Sequence, residues 1–498
     1  MSGAATSDVT PSTRVSRTVD LNRVIGWINV ALVIITVAIY VNIGGNDYLD
    51  GESILLSAVL AAQVQAVLWF ERQRRDPFAV LVCFILVTYY SIRILTLLLV
   101  PFSFVFDRFE YGPADSNRAL MFMLVANLFL FTGLFLRRTP VDDPAATSRW
   151  RARAPGRTLF VVVMAMLVIY TRGAFWSTDS LPRVLYFAVM FFAQAFIFLM
   201  SLTYYLVFRS SLSWRVRSSL IVLLIVEMGL HTLSGSRSAI VGVLQNILIV
   251  MLASVGAVRI PRRGLVLGAF AAPFMIFILV GTFVLSTYTR TVAPSGGSSV
   301  ATALEGIRTI GDRVTTDNIL ESGLPVLLSR VGFFDYVSEV IAHRTQYARV
   351  VNPGAYVRSI TDNLLTPGFD LFDQPKISNS LRFVYEDLGQ PSKVVSAEEY
   401  QSDQLGLYGE LFVLFGWASL PLFFVTGVLA KRIYGAIVDD DPFMRTIKRV
   451  IVLTLFVELI NSFGVDWVVM DIVPFVGSMY LYSYFFPTTS RTSTVAVG

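Results

Sequence analysis

Of 498 residues, 55% are hydrophobic and only 15% charged, and the mean hydropathy is +0.65. Soluble domains carry about a quarter charged residues, so this composition excludes an ordinary soluble protein and requires much of the apolar surface to face lipid. The net charge of +5 does not point to nucleic acid, because the arginines cluster in short segments beside apolar runs, where membrane topology accounts for them. The single cysteine, Cys83, sits within an apolar run and excludes a disulfide framework.

Residues 1–23 are small, polar and basic and read as a disordered cytoplasmic tail. Apolar runs long enough to cross a bilayer follow near 24–43, 53–70, 78–100, 119–136, 158–171 and 184–208, then near 219–233, 239–257 and 265–288. A long connection, 289–407, precedes the last three runs, near 408–430, 447–463 and 468–486, and a short tail, 487–498. The expected fold is therefore an all-α polytopic membrane protein of about 12 transmembrane helices, with one large, largely helical loop between spans nine and ten.

Orientation follows from the basic residues. Seven alternate segments, among them "ERQRRD", "RIPRRG" and both tails, hold 24 Lys and Arg, whereas the five short segments between them hold five. Cytoplasmic loops accumulate Lys and Arg, which places both termini in the cytoplasm and the long connection outside.

That connection opens with a hinge, "APSGGSSVATA", and carries ten Lys and Arg against fourteen Asp and Glu. Within it, "LPVLLSRVGFFDYVSEVIAHRTQY" spaces Leu327, Leu328, Val331, Phe334, Val337 and Ile341 as one face of a helix. The opposite face aligns Asp335, Glu339 and His343 at four-residue steps, placing carboxylates next to an imidazole. The apolar side is expected to rest on the membrane interface or the outer mouth of the bundle.

A second polar constellation, "HTLSGSRSAIVG", separates two spans. Ser234, Gly235, Ser236 and Ser238 allow close approach of a ligand and expose N–H groups at a helix start, and Arg237 adds a planar five-donor fork. This is the composition of a phosphate or pyrophosphate clamp, although an arginine at a boundary can also simply snorkel. Glu227 and His231, one turn apart before it, fit either a satisfied internal pair or a functional one. Arg93, inside the third span, either lines a cavity for a lipid phosphate or pairs with Glu458 or Glu227, and Pro273 and Pro421 are expected to kink their spans. The acidic run "VDDDP" lies in a basic loop and reads as solvated, so no metal site is expected.

The segments "HTLSGSRSAIVG", "SRVGFFDYVSEVIAHR" and "GLYGELFVLFGWASLPLFFVTGVL" together resemble the O-antigen polymerase family, the bacterial oligosaccharide repeat-unit polymerases. The resemblance covers roughly residues 221–429. It implies a metal-independent glycosyltransferase of the GT-C type, without a cofactor, on the outer face of the cytoplasmic (inner) membrane. Such an enzyme transfers a growing glycan from undecaprenyl pyrophosphate to an incoming lipid-linked repeat unit for a surface polysaccharide, alongside a flippase and a chain-length regulator. Arg237 and Arg330 map onto the family's arginines and Glu410 onto its acidic "GE" position. Chemically, Arg237 and Arg330, with Ser236 and Ser238, would hold the pyrophosphate. His343, oriented by Glu339 or Asp335, is one candidate base for the acceptor hydroxyl and Glu410 the other. Arg344 is a secondary candidate for glycan contact. An O-antigen ligase and a polysaccharide-lipid flippase remain the rival readings.

Overall fold

The computed structural model describes residues 18–74, 76–99, 111–137, 150–175, 196–233, 237–255, 259–262, 266–268, 270, 332–365, 371–372, 377–389, 405–461, 465–486 and 488–490. The side chains of residues 228–244 lie outside that description. Five helical segments among the described residues are long and apolar enough to cross a membrane: Leu21–Ile43 (α1), Gly51–Arg72 within Gly51–Arg74 (α2), Pro77–Leu99 (α3), Pro113–Phe135 (α4) and Gly406–Gly435. Only helices and closed barrels satisfy every backbone polar group in hydrocarbon, so the chain is an α-helical multi-pass membrane protein.

The helix starts follow local chemistry. At α3 the Asp76 carboxylate accepts the Phe78 N–H at 3.0 Å, with Pro77 in the first turn, where its missing N–H costs nothing. Buried residues make up 72% of the spanning window of α3 against 22% in α1, so α3 is central and α1 meets lipid with Trp27, Ile34 and Val41. Asn29, in mid-span, donates its amide N–H to the Ala61 carbonyl of α2 at 2.8 Å.

Further helices run Pro155–Phe175 (α5), Phe196–Phe208 (α6), Trp214–Leu233 (α7) and Arg237–Val255 (α8). The expected ninth span, 265–288, lies almost wholly outside the described residues, as does the serine-glycine hinge. The long connection is helical where described: Phe333–Ala342 (α9), Arg344–Val350 (α10), Pro353–Leu365 (α11), Ile377–Ser380 (α12) and Arg382–Asp387 (α13).

The expected tenth span is broken. Helix Gly406–Phe415 (α14) ends where Gly416 takes φ 58°, a 3₁₀ turn covers Gly416–Ser419, and a new helix runs Leu420–Gly435 (α15). Pro421 was expected to kink a continuous helix, but it occupies the first turn of α15, and the interruption belongs to Gly416. Helices Pro442–Asn461 (α16) and Val465–Phe485 (α17) complete the bundle.

Helices α4 and α15 cross with their backbones in contact. A Cβ on Gly427 would meet the Leu130 carbonyl oxygen at 2.6 Å, and one on Gly133 would collide with the Phe424 carbonyl. Small residues at a crossing let dispersion and weak polar contacts act over short distances, which in lipid replaces the hydrophobic drive of water.

Two short antiparallel pairs tie remote segments together. Thr18–Asp20 (β1) pairs with Arg259–Pro261 (β3), and Trp150–Ala152 (β2) with Thr488–Ser490 (β4). A buried ion pair, Lys431 Nζ to Asp76 Oδ2 at 2.5 Å, joins α15 to the start of α3, and the Glu71 carboxylate accepts the Asp76 N–H at 2.6 Å. Burial pushes the Asp76 carboxyl above its ordinary value, outweighing the opposing pull of Lys431.

Candidate functional site

The polar groups of the long connection meet the bundle at α9. A π-helical turn, Leu86–Ser91, interrupts α3 immediately before Arg93. Such turns shift the helical register by a residue and recur at functional positions. The Arg93 side chain is buried, and its Nε lies 2.6 Å from Asp335 Oδ2 on α9. Tyr111, just ahead of α4, donates its hydroxyl to the other carboxylate oxygen at 2.7 Å and packs its ring against Tyr48 with centroids 5.3 Å apart. Burial, reinforced by the Asp335 charge, lifts the Tyr111 phenol well above its usual pKa, which keeps it a hydrogen-bond donor.

This arrangement revises two expectations. Arg93 finds its carboxylate in the long connection, whereas Glu458 and Glu227 were the partners considered from sequence. Helix α9 also does not lie with one face on a surface. Phe334, Val337 and Val340 are buried, and so are Asp335, Ser338 and Glu339 on the supposed polar side, because the helix packs against α3, α4 and α14 together. The regular ladder of Asp335, Glu339 and His343 stops short as well. The helix ends at Ala342, and His343 takes φ −119° and ψ 34°, with its N–H donating to the Glu339 carbonyl at 2.9 Å.

Beyond that corner, Arg344 has a structural task. Its Nε donates to the carbonyls of Phe412 and Val413, at 3.1 and 3.2 Å, in the last turn of α14. The guanidinium carbon sits 3.3 Å from where a Cβ on Gly416 would be, so a glycine there admits it. A cation on the carbonyl end of a helix is favoured by the dipole and closes orphan acceptors.

Glu410, one turn into α14, is also buried, and its Oε2 accepts the Val465 N–H at 3.1 Å at the first residue of α17. The carboxylate thus occupies the positive end of a neighbouring helix. Two of the three "VDDDP" acids are likewise engaged: Asp439 pairs with Lys448 at 2.8 Å, and Asp441 accepts the Phe443 N–H at 2.8 Å and the Thr488 hydroxyl.

The second constellation is only partly placed. Arg237 and Ser238 open α8, and His231 falls in the last turn of α7, with the side chains of all three outside the description. Ser236 and Arg330 lie outside the described residues, whereas Glu227 is described and buried on α7. One span touches both α9 and the helix that Arg237 opens. Tyr89 of α3 donates its hydroxyl to Gln245 Oε1 on α8 at 3.3 Å, while its ring meets Phe333 of α9 edge-on with centroids 5.2 Å apart. Gln245 lies eight residues from Arg237, about 12 Å along the helix, and Arg93 lies one turn from Tyr89.

Tyr89, Tyr111 and Gln245 were not singled out from sequence. Gln245 carried a usable signal, a polar side chain inside an apolar run, whereas a tyrosine near a membrane boundary is too common to stand out. Comparison with family models, with curated proteins and with solved structures finds no match.

Proposed function

We propose that this membrane protein is a glycosyltransferase that joins lipid-linked oligosaccharide repeat units, carried on undecaprenyl pyrophosphate, into a surface polysaccharide. The observation that carries the reading is the insertion of α9, with Asp335 and Glu339, against α3, whose Tyr89 also reaches the helix opened by Arg237. Cleaving a sugar–pyrophosphate bond requires fixed cations where the departing diphosphate gathers charge, and a base beside the acceptor hydroxyl, in a site with little water. Arg237 and Arg330, with Ser236 and Ser238, supply the first; His343 supplies the second. Asp335 directs its two oxygens to Arg93 and Tyr111 and therefore positions α9, which leaves Glu339 as the carboxylate assigned to orient the imidazole.

The reaction is placed on the outer face of the inner membrane, with both termini cytoplasmic. Support comes from the 24-to-five basic-residue bias and from the two strand pairs, each of which joins segments that this bias puts on the same side. The test is expression in a bacterial strain lacking its own polymerase but supplied with lipid-linked repeat units. A ladder of multiple repeats is expected, lost in Arg237→Lys because a point charge cannot replace bidentate contacts. One long species moved to a new lipid indicates a ligase, movement of units without linkage indicates a flippase, and a normal ladder in Arg237→Lys removes the clamp.

A further inference from the structure

The turn between α2 and α3 holds a buried charge cluster that glycosyl transfer does not use. Glu71 of α2, Asp76 at the head of α3 and Lys431 of α15 are 0%, 3% and 4% exposed. They are joined in one line. Glu71 Oε2 accepts the Asp76 N–H at 2.6 Å, Asp76 Oδ1 accepts the Phe78 N–H at 3.0 Å, and Asp76 Oδ2 meets Lys431 Nζ at 2.5 Å. Lys431 lies one turn beyond Gly427, where α15 crosses α4 backbone to backbone, so the ammonium is carried by a tightly packed helix.

The charges in this line do not balance. Asp76 engages both of its oxygens and takes the ammonium, whereas the second Glu71 oxygen, Oε1, is buried with no hydrogen-bond partner among the described residues. Arg74, which acts on Glu71 from the end of the same helix, is committed to α4: its guanidinium lies over the Phe70 and Phe135 rings at 4.5 and 5.6 Å, and its Nη1 donates to the Phe135 carbonyl at 3.0 Å. From α3 the buried Cys83 thiol comes within electrostatic reach of Glu71, and α16 places Arg449 over the Tyr434 ring at 5.2 Å. Two carboxylates therefore face one ammonium in an interior closed to water. A buried charge without a partner is neutralised by a proton rather than left bare.

We propose that Glu71 and Asp76 together form a proton-binding site, which latches the α2–α3 turn to α15 while it holds one proton and loosens that tie when the proton leaves. The proton comes from and returns to the water at this end of the bundle, where the neighbouring Arg72 is exposed. Two acids this close titrate as a unit, so the proton belongs to the pair. Once it is lost, Lys431 has two carboxylates to serve, and the ion pair that joins α3 to α15 is no longer undivided. The inference is independent of the glycosyl-transfer reading.

The test is infrared spectroscopy of the full chain in lipid nanodiscs across a pH titration, read beside thermal unfolding. At neutral pH the parent is expected to show a carboxylic-acid C=O band that fades as the pH is raised. The share of that band belonging to this site is expected to be missing in Glu71→Gln, whose amide still accepts the Asp76 N–H. Lys431→Met removes the ammonium of the cluster and is expected to double that share, because both acids then need a proton. A proton bound by the folded pair and not by the unfolded chain stabilises the fold fully below about pH 4, and that contribution is lost as pH rises through the pair's titration. The parent melting temperature is therefore expected to fall toward alkaline pH, and to fall less in Glu71→Gln. The same band in Glu71→Gln as in the parent, no increase in Lys431→Met, or parallel melting profiles would each overturn the proposal.

Discussion

Arg93 in the third spanning helix and Asp335, 242 residues later in the long connection, form a 2.6 Å ion pair with both side chains 1% exposed. Removing one member of such a pair strands the other charge in a low-dielectric interior, which costs about 3–5 kcal/mol, whereas replacing both by apolar residues of similar volume is close to neutral. Arg93→Met and Asp335→Leu are each expected to lower the melting temperature in detergent strongly, and the double variant to recover much of the loss. Additive losses in the double variant would show that the two residues do not act as a pair. Tyr111→Phe, which removes one charge-assisted bond to the same carboxylate, is expected to cost less, about 1.5–3 kcal/mol.

That pair also marks where sequence reading stops. Hydropathy located the five segments long and apolar enough to span a membrane, and periodicity the α9 helix, because a run of apolar residues and a helical period are properties of neighbours in sequence. The same period suggested that Asp335 and Glu339 faced away from the core. Periodicity identifies two faces of a helix but not how many neighbours will cover them, and α9 is enclosed on both. A carboxylate facing a buried arginine looks, from its own segment alone, like a solvated one. Arg344 and Glu410 were similarly visible as charged residues in suggestive motifs, yet their tasks at the ends of α14 and α17 depend on where other helices start and stop.

The crossing of α4 and α15 leads to a second prediction. Neither Gly133 nor Gly427 has another small residue four positions away, so the usual membrane packing signature is missing, and only the backbone contact reveals their role. Gly133→Ala and Gly427→Ala each place a methyl against backbone of the facing helix, which cannot rotate aside. A loss of about 1–3 kcal/mol is expected for either, with larger residues worse. Thermal unfolding of the purified variants checks this; unchanged stability in both would mean that the helices separate freely.

Acid and base sides of the stability profile should respond to different carboxylates. Burial alone would raise the Asp50 pKa, but hydrogen bonds from the Ser53 backbone, the Asn117 side chain and the Ser53 hydroxyl outweigh it, so the value falls below its ordinary 3.8. A depressed carboxylate stabilises the fold fully above its unfolded pKa, and that contribution is lost as pH falls through the folded value. Asp441 has the opposite shift: burial raises it above 3.8, against hydrogen bonds from Thr488 and the Phe443 N–H. Its contribution is greatest below 3.8 and declines as pH rises through the raised value. Compared with the parent, Asp50→Asn should flatten the loss of melting temperature between about pH 5 and about pH 3, and Asp441→Asn should gain relative stability toward neutral pH. The same sign for both variants would contradict these assignments.

Glu410 separates a structural acid from a chemical one. If the carboxylate mainly closes the start of α17, the neutral amide of Glu410→Gln retains an acceptor for the Val465 N–H, and both fold and glycan elongation should survive. Glu410→Ala leaves that half-buried N–H without its acceptor and is expected to cost about 1 kcal/mol. A base, by contrast, cannot be replaced by an amide, whatever its geometry. We expect Glu410→Gln to build glycan at near-parental rate and His343→Gln to lose it while keeping its melting temperature. Abolished elongation in a stably inserted Glu410→Gln protein would move the proton transfer from the imidazole at the end of α9 to the carboxylate on α14.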